Sequence, residues 1–223
     1  MEMKIVQIIL NLQCLTIFIS FFFSMNLYRL SWKNGMKYFS IYHFVAFIMA
    51  IPFFLMFNGF FKIPYLYELN NYSLLFGFLF LSLFMIFKMP NKKGSQLLVA
   101  LFIILFSLLV FNIFKKELDK SIQNYQAFAI NCFGLLLFSI IYFFKLFKVI
   151  PEVRITSDPI FWVVIGVFSC SIISSPIFIV TGFFYKIDPE NRFLILVGLM
   201  PSLGFTTLHF FLIKAILCTK KLQ

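Results

Sequence analysis

A bundle of seven membrane-spanning helices in one domain is the fold this sequence predicts, and three observations carry it. Hydrophobic residues make up 62% of the 223 residues, where a soluble domain holds about 45–50%. Phe alone occurs 36 times, and charged residues are only 12%. The apolar residues gather in runs of about 18 or more, the length an α-helix needs to cross a bilayer. The polar breaks between runs are short. The most polar, KKELDKSIQNYQ at 115–126, leaves no room for a folded soluble domain, so residues 1–223 read as one transmembrane domain. In lipid every backbone polar group has to be satisfied internally, and helices do this within each span.

The first run, 5–27, carries Asn11, Gln13 and Cys14 and reads as a retained helix. The second, 38–61, contains Pro52. The third, 72–87, follows a loop holding Pro64 and Glu68, and ends at KMPNKKG, where Pro90 and Gly94 read as helix breakers. The fourth and fifth runs are 97–114 and 127–149, with Pro151 stopping the latter. The sixth and seventh are 159–185 and 192–219. Each of these last two opens on Asp-Pro, at Asp158-Pro159 and Asp188-Pro189. Asp is a favoured N-cap and Pro a favoured first helical residue, so both aspartates read as caps.

Seven spans put the termini on opposite sides. Loops after the odd-numbered runs, with the C-terminal end, hold 12 Lys and Arg; the N-terminal end and the other loops hold 7. The positive-inside rule then predicts an external N-terminus and a cytoplasmic C-terminus, in the inner membrane of a bacterium. The net charge of +11 is explained by these flanking residues and predicts no nucleic-acid partner.

All eight acidic residues lie in loops or at helix ends. That argues against a proton- or sodium-coupled carrier, which commonly places a carboxylate at mid-membrane. It also leaves Lys214 without the counter-ion a retinal Schiff base needs. Motifs such as G-x-S-x-G, H-E-x-x-H and a phosphate loop do not occur, and no enzyme, metal or cofactor is expected. The four cysteines, Cys14, Cys132, Cys170 and Cys218, lack C-x-x-C spacing and read as small apolar fillers.

Two features remain as candidates. His43 and His209 sit at similar predicted depth, and with Tyr42 and Thr206 they outline a ligand or switch pocket opening to the cytoplasm. That pocket requires the rings within about 10 Å of each other, an extension of the rule that buried polar groups are paired. Rings on opposite faces would reduce both to packing residues. The second feature is a pair of small-residue rows, Gly166, Cys170 and Ser174 on run six and Gly198, Ser202 and Thr206 on run seven. Rows spaced by four let helices approach closely, and they predict packing of six against seven.

The stretch SDPIFW at 157–162, followed by an apolar helix with Gly166, resembles the Pro-x-Phe-Trp start of the sixth helix in small seven-helix membrane proteins of Bacteroidota. These in turn resemble the seven-helix sensor modules of bacterial signalling proteins. The resemblance implies a receptor-like bundle acting through a protein partner or by self-association within the lipid bilayer. Two other roles fit the same layout: a membrane effector of a bacterial defence or stress system that oligomerises and perturbs the inner membrane, and a small-solute transporter.

Overall fold

A computed structural model describes residues 2–28, 36–59, 66–89, 91–115, 124–149, 152–184 and 193–221. Seven α-helices occupy them: α1 (Glu2–Tyr28), α2 (Met36–Phe57), α3 (Leu66–Phe87), α4 (Lys92–Lys115), α5 (Tyr125–Val149), α6 (Pro159–Phe184) and α7 (Phe193–Lys221). A 3-10 helix, Glu152–Ser157, leads into α6. No strand occurs among the described residues. Six of the helices are long and apolar enough to cross a membrane, and the shorter apolar stretch of α2 is Ser40–Met56. The chain is a helical membrane bundle.

Three helix ends differ from the sequence reading, each for a local reason. α2 stops at Phe57 rather than 61, because Gly59 takes φ +75° and donates its amide to the Met56 carbonyl at 3.0 Å. Glycine adopts that left-handed conformation without steric cost, so it ends the helix there. α3 starts at Leu66, six residues before Tyr72, and takes Glu68, Asn70 and Asn71 into its first turns. Gly94 is no breaker: it lies in the first turn of α4, and its amide donates to Asn91 Oδ1 at 2.6 Å. Asn91 is thus the N-cap, and a Cβ at residue 94 would stand 2.6 Å from that oxygen. Asn124 caps α5 in the same way, accepting from the Ala127 amide at 3.2 Å. Asp158 caps α6, its Oδ1 accepting from the Ile160 amide at 2.9 Å. Asp188 lies outside the described residues.

Neighbour contacts close six helices into a ring in the order α1, α2, α3, α5, α6, α7 and back to α1. α4 stands outside it against α3 and α5, and turns Ile103, Ile104, Phe111 and Phe114 outward, as a lipid-facing helix does. It is held through Gly134 of α5, where a Cβ would sit 2.8 Å from the Phe78 ring and 3.1 Å from Leu105. The absent side chain lets Phe78 of α3 stack on Phe102 and Phe106 of α4, with centroids 6.0 and 6.5 Å away.

The most extensive pairing is α6 on α7. On α6 the row of small residues does face α7: a Cβ on Gly166 would meet the Phe211 Cβ at 2.9 Å and the Leu208 carbonyl at 3.2 Å. On α7 the contact face is not the row at 198, 202 and 206. It is Gly204, where a Cβ would stand 2.7 Å from Ser174 Oγ and 3.2 Å from the Cys170 carbonyl. Gly204 is two residues from Ser202 and from Thr206, about 200° around the helix, so the two sets lie on opposite sides. Ser202 is buried but lines an interior cavity, and of Gly198 only the helical backbone is described.

Gly166→Leu and Gly204→Leu are each expected to cost roughly 1–3 kcal/mol by forcing α6 and α7 apart, read as a lower thermal midpoint in detergent. A wild-type midpoint for both would contradict the close approach.

Candidate functional site

The bundle is unevenly filled. Call the side where α1, α3, α5 and α7 begin the N-terminal face. In the opposite half Phe84, Met85, Tyr142, Val163, Leu212 and Ile216 are all essentially inaccessible, and large side chains fill the axis. Towards the N-terminal face lies a cavity of about 350 Å³, lined by all six ring helices and not by α4. Small residues make it. Ala46 and Ala50 sit one turn apart on α2, Ser73 and Gly77 one turn apart on α3, and Cys132, Cys170 and Ser202 come from α5, α6 and α7. In a chain with 36 Phe, placing small residues at these inward positions leaves the space open.

The deep end of the cavity is formed by Tyr42 and His209. The two rings stack with centroids 6.1 Å apart and an interplanar angle of 16°. His43 meets both edge-on, at 6.0 Å from His209 and 5.6 Å from Tyr42. The structure therefore brings both histidines and Tyr42 together and buries all three. Thr206 is not among the residues lining the cavity; its hydroxyl donates to the Ser202 carbonyl of its own helix at 2.8 Å. Nor does the pocket open as the sequence reading has it. The lining runs from the aromatic cluster to Leu10, Met56 and Asn70, near helix ends at the N-terminal face, while the other half is packed solid.

The residue that sequence reasoning missed is Ser20. Its hydroxyl lies 2.9 Å from the Ile17 carbonyl and 2.8 Å from His209 Nδ1. The Ser20 hydroxyl donates to the Ile17 carbonyl, so the bond to His209 is the one that Nδ1–H donates. Ser20 is fully buried, so this bond ties α1 to α7 without competition from water. The sequence signal was available: Cys14, Ile17 and Ser20 recur at helical spacing on one face of α1. At the N-terminal face Asn11 and Asn58 exchange two amide bonds of 2.9 and 3.2 Å and tie α1 to α2.

One more cluster marks the C-terminal face. Asp158 is half-buried beside Lys88: burial pushes its carboxyl up, opposed by the Ile160 amide and the Lys88 charge. Burial likewise pulls the Lys88 ammonium down, opposed by Asp158. Nearby Trp162 donates Nε1–H to the Thr156 carbonyl at 2.8 Å, and Lys214 Nζ lies 5.6 Å from the centre of its ring. An aromatic ring with a polar edge and a cation over its face suits a membrane–water boundary.

No protein-family model, curated protein or solved structure matches the chain. What the arrangement can do follows from its own chemistry. Among the described residues no Asp, Glu, Lys or Arg lines the cavity, and no group of three or more His, Cys, Asp or Glu able to hold a metal occurs. A mostly apolar cavity of this size with a few polar groups is the general form of a small-molecule site.

The Ser20 geometry makes a spectroscopic prediction. The ¹⁵N shifts of His209 in the detergent-solubilised protein should show a protonated Nδ1 and a bare Nε2. The opposite tautomer would mean that Ser20 donates to His209 and abandons Ile17.

Proposed function

We propose that this chain is a non-enzymatic, receptor-like protein of the bacterial inner membrane that binds a small molecule in its bundle and acts through a protein partner. In this reading all seven helices cross the membrane, with the N-terminus outside and the C-terminus in the cytoplasm, as the charge count predicts. The cavity then occupies the external half, and the packed half faces the cytoplasm. The single observation that carries the reading is this division: a ligand-sized hollow on one side of the His209–Tyr42 stack and a continuous aromatic and aliphatic core on the other.

A hollow half and a solid half suit a receptor better than a conduit. A bound molecule that spreads the cavity wall pushes on helices that continue as rigid rods into the packed half. α6 and α7 contain Pro176 and Pro201, and Pro201 lines the cavity. Proline removes one backbone hydrogen bond and makes a natural bending point, so these two helices, like α2 with Pro52, can bend at the level of the ligand. A ligand shifts such an equilibrium only by its preference for one of the two shapes.

Gly77 offers the test. Among the described residues a Cβ there would meet only Tyr42, at 3.8 Å, so Gly77→Leu fills the cavity from its wall. A photo-crosslinking residue at Lys92 or Thr156, both exposed at the packed end, is expected to capture one partner protein in native membranes. Gly77→Leu should change the yield of that same adduct several-fold. No adduct, or a yield indifferent to the cavity, would contradict the proposal.

A further inference from the structure

The cavity wall specifies what kind of molecule fits, an inference that rests on reading the cavity as a ligand site. Asn131 of α5 lies on that wall, 5% exposed. Its Oδ1 is buried and has no hydrogen-bond partner among the described residues. A buried amide oxygen left unpaired is costly, and native interiors leave few such groups without a reason. At the deep end of the cavity His209 is given Ser20. Asn131, on the cavity wall, is given nothing of this kind among the described residues.

The surroundings narrow the guest further. Among the described residues no charged side chain lines the wall, so they offer an ionised ligand no counter-charge, and burying one without it is prohibitively costly. The body of the cavity is formed by Ala46, Met49, Leu74, Leu135 and Phe205, which suit an apolar skeleton. Asn131 sits about two turns into α5 from the N-terminal face, so a polar group bonded to it lies towards that face, with the skeleton running down to the Tyr42–His209 stack. An amide presents an N–H donor and a carbonyl acceptor, exchanged by a half-turn of the side chain. A hydroxyl group answers both.

We propose that the cavity takes a neutral, mainly apolar molecule bearing one hydroxyl group, held by Asn131, with its skeleton against the Tyr42–His209 stack. Such a molecule reaches the site from the bilayer or from water, and both sources present the same chemistry.

Two probes of almost identical shape test this, 4-propylphenol and 4-propyltoluene, which differ by a hydroxyl against a methyl group. Binding of each to the full chain in lipid nanodiscs is read from the concentration dependence of the thermal midpoint. The wild type should prefer the phenol by about tenfold, the value of one buried hydrogen bond. Asn131→Leu, which keeps the volume and removes the amide, should bind both probes equally. Gly77→Leu should bind neither. Wild-type binding of both probes with equal affinity would overturn the hydroxyl assignment and leave the ligand site standing. Binding of neither would overturn the ligand site itself. A phenol preference that survives in Asn131→Leu would remove Asn131 from the role. The wild-type comparison needs no variant and decides the hydroxyl question even if Asn131→Leu fails to fold. Loading nanodiscs with the probes before or after protein reconstitution separates entry through lipid from entry through water.

Discussion

The seam along α7 is the constraint on which the rest of this bundle depends. In lipid, apolar surface is as well solvated by acyl chains as by other helices, so burial alone does not bring helices together. What does is close approach, where side chains are small, and polar bonds that lipid cannot replace. α7 uses both. Gly204 and Gly166 bring it against α6, and the buried Ser20–His209 bond brings it against α1. Without α7 the remaining ring helices form an open arc, and the cavity has no closing wall.

The same seam separates the two halves of the molecule. His209 is held in place by Ser20, and its ring supports Tyr42. Below that level the axis is filled by Phe84, Tyr142, Leu146 and Leu212. Above it the inward positions are Ala46, Ala50, Ser73 and Gly77. Residue size along the helices, rather than any break in them, decides where the space is. Asn131, whose amide oxygen is buried without a partner among the described residues, falls in the open half.

Much of the bundle was legible because its signal is local. Run length needs no knowledge of neighbours, and the Asp158 cap is written in two adjacent residues. The Gly94 and α3 readings went astray because a capping side chain, Asn91, and tolerated polar residues at a helix end override composition. The α7 row was read from spacing alone, and spacing does not say which way a row faces; Gly204, two residues from Ser202, takes the α6 face instead. The histidine cluster was within reach because depth follows from residue number. Ser20 shares a face of α1 with Cys14 and Ile17 at helical spacing, but that spacing names no partner on α7. The cavity was hardest to see, since it depends on small residues from six helices meeting at one depth.

A double-mutant cycle across the α1–α7 seam tests the account most directly. Unfolding free energies of the wild type, Ser20→Ala, His209→Phe and the double variant would be measured in one detergent. The account predicts a coupling of about 0.5–1.5 kcal/mol, the range for a buried interhelical hydrogen bond. Additive losses, with coupling within about 0.3 kcal/mol of zero, would show that Ser20 and His209 do not hold the ring closed.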